Sequence, residues 1–263
     1  MEKPVVVLKI GGRAASVETA LKDLVLDMAA LKDTFCFFLV HGGGAEVSRV
    51  TKIFGLQPVF RDGIRQTSPA EMEIVDMVLA GKMNKYLVRV FQTLGLKAVG
   101  LSGSDGGFFT GLSIDPAAGS RTGRVTSVDP RAAFVLAEAG YVPIVASTSM
   151  DSSGGALNIN ADEAALEIAR AAGARSLVYL SDIPGILKDG QVIARLDAAG
   201  AEKEINAGLI TGGMIPKVRS SLEALKSGVG AVVIGEFTQK GDLPRLLSCA
   251  SGTTLEWKGE RHV

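Results

Sequence analysis

The sequence predicts an α/β fold on an open, mainly parallel sheet. Three observations carry that expectation. Short apolar, often β-branched runs recur along the chain, each is closed by turn residues, and each turn leads into a longer segment with apolar residues every three or four positions. Strand, turn and helix repeated in this order is the pattern of an open parallel sheet. The runs are nearly all apolar instead of alternating, as strands covered on both faces by helices require.

Taken in order, the strands are expected at Val5 to Ile10, Phe35 to Val40, Lys97 to Leu101, Val142 to Ala146, Leu177 to Leu180 and Ala231 to Ile234. Helices are expected at about Val17 to Leu31, Ala45 to Phe54, Pro69 to Leu94, Pro130 to Ala139, Ala161 to Ala172 and Lys217 to Ser227. Two stretches break the rhythm, Gln57 to Thr67 and Gly106 to Val128, and their short runs between glycine turns read as hairpins over the sheet edge. No repeat, low-complexity tract or Pro/Ser-rich linker interrupts the 263 residues. They read as one domain, with an N-terminal lobe of about 1–150, a C-terminal lobe of about 151–263 and the division near Ser147 to Gly155.

Lys plus Arg and Asp plus Glu balance at 28 each, so no overall field recruits nucleic acid or an anionic membrane, and a metabolite is the expected partner. The opening MEKPVVVLKIGG lacks a cationic segment followed by a long apolar run, and no stretch nears the roughly 18 apolar residues of a membrane span. The expected location is the cytoplasm. Cys36 and Cys249 read as packing residues, and His41 and His262 are too few for a metal cage. His41, directly before three glycines, is expected to shape their turn.

Four pieces carry chemistry. Lys9-Ile10-Gly11-Gly12 places a lysine at the end of the first strand and two glycines in the loop before a helix, the outline of a phosphate site. Gly42-Gly43-Gly44 repeats the arrangement after the second strand, and in an open parallel sheet both loops lie at the strands' carboxyl ends, where ligands bind. Neither is a P-loop, and Gly81-Lys82 with Asn84-Lys85 lies inside a helical stretch without the preceding strand or Ser/Thr that a P-loop needs. In Asn158-Ile159-Asn160-Ala161-Asp162-Glu163, Asn160 can cap a helix with Glu163 completing a capping box. Asp162 then falls in the first turn, where it stabilises the helix dipole or serves a ligand site, and Asn158 offers both donor and acceptor to a carboxylate or amide. Thr211-Gly212-Gly213-Met214-Ile215-Pro216-Lys217 sets a lysine near the positive end of a helix, a place that favours a cation only with a bound anion beside it.

Two weaker pieces complete the set. Ser181-Asp182-Ile183-Pro184-Gly185 follows a strand and suits contacts to a nucleotide, and Arg65 is the best placed residue for a bidentate grip on a substrate carboxylate.

Together KIGG, VHGGG, DGIRQT, AGKMNK, VGLSGSDGG, LNINADEAA, LSDIPGIL and TGGMIPKV resemble, in order and spacing, motifs of the amino acid kinase family, from Val5 to about Leu255. Within it the likeness is to the members that phosphorylate N-acetyl-L-glutamate with ATP. The resemblance implies a three-layer αβα sandwich, an amino-acid-binding N-terminal half and an ATP-binding C-terminal half. It implies that Lys9 and Lys217 stabilise the transferring phosphoryl group and that Asp162 holds those lysines. Gly11, Gly12, Gly43 and Gly44 would donate N–H groups, Arg65 and Asn158 would grip N-acetylglutamate, and Asp182, Gly185, Thr211 and Gly212 would lie near the nucleotide. Magnesium would be held mainly by ATP phosphates and water, with no protein metal ligand. Ser104 stands where lysine is common in the family, and GEFTQKGDLPRL replaces a more usual DGRV-like sequence. Arginine-inhibited relatives carry an extra N-terminal helix, and with only Met1 to Pro4 before the first strand the expectation is an arginine-insensitive homodimer. The rival readings are a kinase for carrier-linked aminoadipate, glutamate, carbamate, aspartate or a nucleoside monophosphate, and a non-catalytic sensor of the same fold.

Overall fold

The structure is a computed structural model and describes residues 3–11, 17–61 and 63–257. The chain begins β1 (Val5–Ile10), α1 (Glu18–Leu31), β2 (Cys36–His41), α2 (Gly44–Ile53), β3 (Phe60–Arg61), β4 (Ile64–Arg65) and α3 (Pro69–Asp76). A π-helical segment (Met77–Met83) joins α3 to α4 (Asn84–Thr93), followed by β5 (Ala98–Leu101), β6 (Phe109–Ser113), β7 (Thr122–Val128), α5 (Arg131–Glu138), β8 (Val142–Ala146), β9 (Thr148–Met150) and β10 (Ala156–Ile159). Then come α6 (Ala161–Ala171), β11 (Ser176–Ser181), β12 (Leu187–Lys188), β13 (Gln191–Val192), β14 (Arg195–Asp197), α7 (Ala198–Asn206), α8 (Met214–Lys226), β15 (Val232–Glu236), α9 (Asp242–Leu247) and β16 (Thr253–Glu256). The α/β class with a mainly parallel central sheet is as the sequence predicts.

The six expected strands all form, and both expected hairpins appear as β3–β4 and β6–β7. One element is corrected. Pro69 to Leu94 is not a single α-helix, because the π-helical segment widens the chain between α3 and α4. The helical run still starts where its residues say it should: Ser68 Oγ accepts from Glu71 N at 3.2 Å, and Pro69 takes the first helical position, whose N–H has no intrahelical use.

By packing, the chain divides into one unit of 1–37 with 169–263 and another of 38–168. This differs from a cut near residue 150. The stretch Ser147 to Gly155 holds β9 and the turn that leads to its antiparallel partner β10. In the first unit the strand order is β14-β16-β15-β11-β1, parallel except between β15 and β16. There α1 buries the Asp27 carboxylate, which accepts from Gly241 N at 2.9 and 2.8 Å and from Leu243 N at 3.2 Å, so a buried charge caps the start of α9. Burial raises the Asp27 pKa, and the hydrogen bonds from Gly241 and Leu243 work against it.

In the second unit β2, β8 and β5 pair in parallel, and β10-β7-β6-β9 close into a small barrel. Its interior leaves no room beside Leu157 and Ile159: a β-carbon on Gly123 would stand 3.0 and 2.9 Å from their Cδ1 atoms. Alternation along β10 therefore turns Asn158, between those two, to the barrel's outer face.

Candidate active site

In the first unit, β1 is buried throughout except at the half-buried Lys9. The parallel register sets Lys9 beside Tyr179 of β11, and register partners show their side chains to the same face of a sheet. The Lys217 ammonium lies 5.0 Å from the centre of that same Tyr179 ring, within cation–π range. One buried aromatic residue thus gathers two lysines that are far apart in sequence. A β-carbon on Gly11 would stand 2.8 Å from Lys9 Nζ, so glycine leaves the ammonium its place over the loop. Gly12 lies outside the described residues.

Helix α8 starts at Met214, ahead of the expected Lys217, and Pro216 falls in its first turn. Its N-cap is Gly213, which has no side chain to cap it; Met214 N and Ile215 N donate to Thr211 O and Gly212 O at 3.2 Å and Pro216 has no N–H, so the helix sets the positive end of its dipole, not free donors, beside Lys217. Thr211 and Gly212 are exposed just before it, and Gly212 adopts a left-handed φ of 53° with nothing within 4 Å of a built β-carbon. Asp182 is exposed one residue after β11. Gly185 differs from the other glycines. It is buried at φ 149°, and a β-carbon there would meet Val192 Cγ1 at 2.7 Å and Thr253 Oγ1 at 2.8 Å, so packing alone demands a glycine.

In the second unit, β2 ends in the fully buried His41, whose Nδ1 donates to Gly42 O at 2.9 Å. Burial, with a smaller push from Lys85, lowers the His41 pKa to about 4. The expectation that His41 shapes the glycine turn is met. A β-carbon on Gly42 would press Ala161 Cβ at 3.3 Å, and one on Gly43 would strike Leu79 Cδ2 at 2.9 Å; around Gly44 the space is open. The Gly42 contact brings the glycine loop to the start of α6, whose second residue is Asp162. Asn160 Oδ1 accepts from Asp162 N at 2.8 Å, the expected capping contact. The capping box itself does not form. Glu163 Oε1 instead accepts from Val125 N at 2.7 Å, beside the register shift between Thr110 and Gly111 where β6 and β7 fall out of step.

Arg65 is placed differently from an open fork awaiting a carboxylate. It is 8% exposed, its Nη1 donates to Glu71 Oε1 at 2.6 Å, and its Nη2 donates to Gly44 O at 2.9 Å and Ser48 Oγ at 2.6 Å. Phe60 covers the guanidinium with its ring centre 4.7 Å away. The Glu71 pairing satisfies a charge that burial would otherwise penalise, and the Gly44 bond ties Arg65 to the glycine loop. Its backbone carbonyl accepts from Thr122 Oγ1 at 2.6 Å, Thr122 Oγ1 accepts from Thr67 N at 2.8 Å, and Thr67 Oγ1 accepts from Asn158 Nδ2 at 2.8 Å. Gly43, Gly44, Arg65 and Asn158 are therefore joined through short links.

Tyr179, Thr67 and Ser48 were not singled out from the sequence. Tyr179 alone left a trace, as the one aromatic residue in the aliphatic run Ser176 to Ser181. Among the described residues no group of three or more His, Cys, Asp or Glu could hold a metal ion.

Residues 4–236 match the model of the amino acid kinase family, and the chain belongs to that family. Its relatives narrow the class. Acetylglutamate kinase of Geobacillus kaustophilus (strain HTA426) is 43% identical over 196 residues, 74% of this chain and 76% of the relative. The chloroplastic acetylglutamate kinase of Arabidopsis thaliana is 41% identical over 260 residues, 95% of this chain and 74% of the relative. The crystal structure of smu.665 from Streptococcus mutans UA159 matches with a TM-score of 0.81 at 26% identity, covering 95% of this chain and 98% of that one.

Proposed function

We infer that this kinase transfers the γ-phosphoryl group of ATP to the side-chain carboxylate of N-acetylglutamate, giving N-acetylglutamyl 5-phosphate, a step of arginine biosynthesis. The observation that carries the reading is the 41 to 43% identity to acetylglutamate kinases over most of the chain. The carboxylate is ionised at neutral pH, so one of its oxygens attacks phosphorus without a base while the bond to the leaving ADP oxygen breaks. What remains for the protein is alignment and neutralisation of charge.

Lys9 and Lys217 supply that charge, a role supported by their shared neighbour Tyr179 and by the glycine at position 11. Asp162 keeps the lysines in place. Gly43 and Gly44 donate N–H groups on the side of N-acetylglutamate, which Arg65 and Asn158 hold. Three of the five N–H donors of Arg65 are accounted for by Glu71, Gly44 and Ser48. The contact to substrate falls to the others and to the Ser48 hydroxyl. Gly11, Gly12, Asp182, Gly185, Thr211 and Gly212 serve ATP, whose phosphates and water carry the magnesium. On this reading the unit of 38–168 takes the amino acid and the unit of 1–37 with 169–263 takes the nucleotide. The enzyme works in the cytoplasm as a homodimer, consistent with the exposed apolar Ile53, Phe54 and Val59.

The test is purified protein with MgATP and hydroxylamine, which traps an acyl phosphate as the hydroxamate. N-acetylglutamate should give the product, and equal or faster rates with glutamate, aspartate or carbamate would overturn the substrate assignment.

A further inference from the structure

We propose that the AGKMNK segment, Ala80 to Lys85, is a positioning element that sets the direction of the Gly42–Gly44 loop through a hydrogen-bond chain from Lys85 through Asn84 and His41 to Gly42. The proposal rests on the reading that Gly43 and Gly44 turn N–H groups toward the reacting groups.

Asn84 is fully buried, and its amide can face only one way. Lys85 Nζ, which can only donate, lies 2.9 Å from Asn84 Oδ1. Two backbone carbonyls, which can only accept, lie 2.8 Å (Ile144 O) and 3.3 Å (Leu101 O) from Asn84 Nδ2. The same nitrogen sits 3.1 Å from His41 Nε2. The amide nitrogen has two hydrogens for these three acceptors, and the shorter contacts to Ile144 O and Nε2 take them, leaving Leu101 O at 3.3 Å the weakest; Nε2 accepts, and in a neutral imidazole the other nitrogen carries the proton. Nδ1–H then donates to Gly42 O, as its 2.9 Å distance allows. Because a trans peptide is planar with its C=O and N–H opposed, holding the Gly42 carbonyl against His41 aims Gly43 N–H the other way. Burial keeps the ring neutral, in agreement with this assignment.

The segment and its neighbour Leu79 also pack on this loop and on the helix that follows it. Met83 Cγ and Leu79 Cδ2 would meet a β-carbon on Gly43 at 3.2 and 2.9 Å, and Lys82 pairs with Glu46 in the first turn of α2. Gly100 fits for a related reason, since a β-carbon there would stand 1.8 Å from Asn84 Oδ1. The π-helical segment ends at Met83 and delivers Asn84 into this place. π-Helical turns persist where function repays their poorer geometry.

The sequence holds two histidines, so nitrogen NMR of histidine-labelled protein resolves the His41 state directly. The wild type should show a neutral ring protonated at Nδ1 at pH 7. In Asn84→Asp, a carboxylate cannot donate to Nε2 and should hold a proton there, giving an imidazolium. Its kcat should fall about tenfold or more with KM for ATP within about twofold, the signature of misaligned reacting groups. His41→Asn, whose amide nitrogen stands in for Nδ1, should recover most of the turnover lost in His41→Val. Lys85→Met, at an exposed position and so safe for folding, should lose about threefold in kcat. Folded Asn84→Asp and Lys85→Met with wild-type kcat, or equal losses in His41→Asn and His41→Val, would overturn the proposal. Gly44→Pro separates it from the reading it rests on. Gly44 is the first residue of α2, where proline is tolerated, and the space around it is open, so the variant folds without that N–H, and full activity in it would sink the role of the loop instead of its support.

Discussion

In the loop after β2, Gly42 and Gly43 are glycines because Ala161 and Leu79 stand where a side chain would begin, whereas Gly212 and Gly213 before α8 have nothing within 4 Å. Gly43 has an extended φ of 162°, so its need is steric, while Gly212 at 53° needs glycine for its backbone alone. The first loop is built into a framework of His41, Met83, Ala161 and Arg65. The second is exposed and borders a helix end with no side-chain cap. A fixed loop suits donors that must already point at developing charge, and an open one suits a ligand whose phosphates complete the site. On the proposed function, runs of glycine that look alike in sequence would serve preorganisation in one place and access in the other.

The comparison breaks first at His41, where the largest effect is expected. Its folded pKa of about 4 lies below the ordinary 6.5, so as pH falls from 6.5 toward 4 the unfolded chain takes up a proton that the folded one refuses. Stability should be flat above pH 6.5 and should fall across that window by about 3 kcal/mol. His41→Asn should lack this part of the slope in urea unfolding followed against pH. The depressed carboxylates Glu46, Asp129 and Asp151 lose their contribution mainly below the window, and both proteins share it. Identical slopes would mean that the supported loop is not what keeps His41 neutral.

Arg65 gives the next effect. Lysine keeps the charge but cannot bond Glu71, Gly44 and Ser48 at once, so Arg65→Lys should raise KM for N-acetylglutamate about tenfold while KM for ATP changes little. Equal rises in both constants would remove Arg65 from the amino-acid side. The open loop should show its effect in stability and least of all in turnover: Gly212→Ala meets no neighbour and should cost about 1 to 2 kcal/mol in a thermal melt through its left-handed backbone alone, with kcat nearly unchanged. A loss of turnover as large as that of Gly44→Pro would erase the contrast between the loops.

Much of this was legible in the sequence because apolar runs and their glycine turns are local signals. Val5 to Ile10 and Val142 to Ala146 form strands with those bounds. Short elements escaped. Helix α7 contains Gly200 and was passed over although Asp197 caps it, with Oδ1 accepting from Gly200 N at 2.9 Å. The division into units escaped as well, since the pairing of β1 with β11 joins distant parts of the chain by topology, to which local pattern is blind. In the site, Lys9 and Lys217 stood out as charges at the ends of apolar or glycine-rich pieces. The engagement of Arg65 by Glu71, and of His41 by Asn84, depends on partners that only folding brings near.

The account turns on Lys9, Lys217 and Asp162 acting as one unit during transfer, and a double-mutant cycle on kcat tests that most directly. Asp162→Asn and Lys217→Ala should each lower kcat on the order of a hundredfold, about 2.7 kcal/mol, with melts showing folded protein. Combined, they should lose clearly less than the product of the single losses. Strictly multiplicative losses, or near-normal turnover in folded Asp162→Asn, would contradict the account and leave Asp162 an ordinary acid in the first turn of α6.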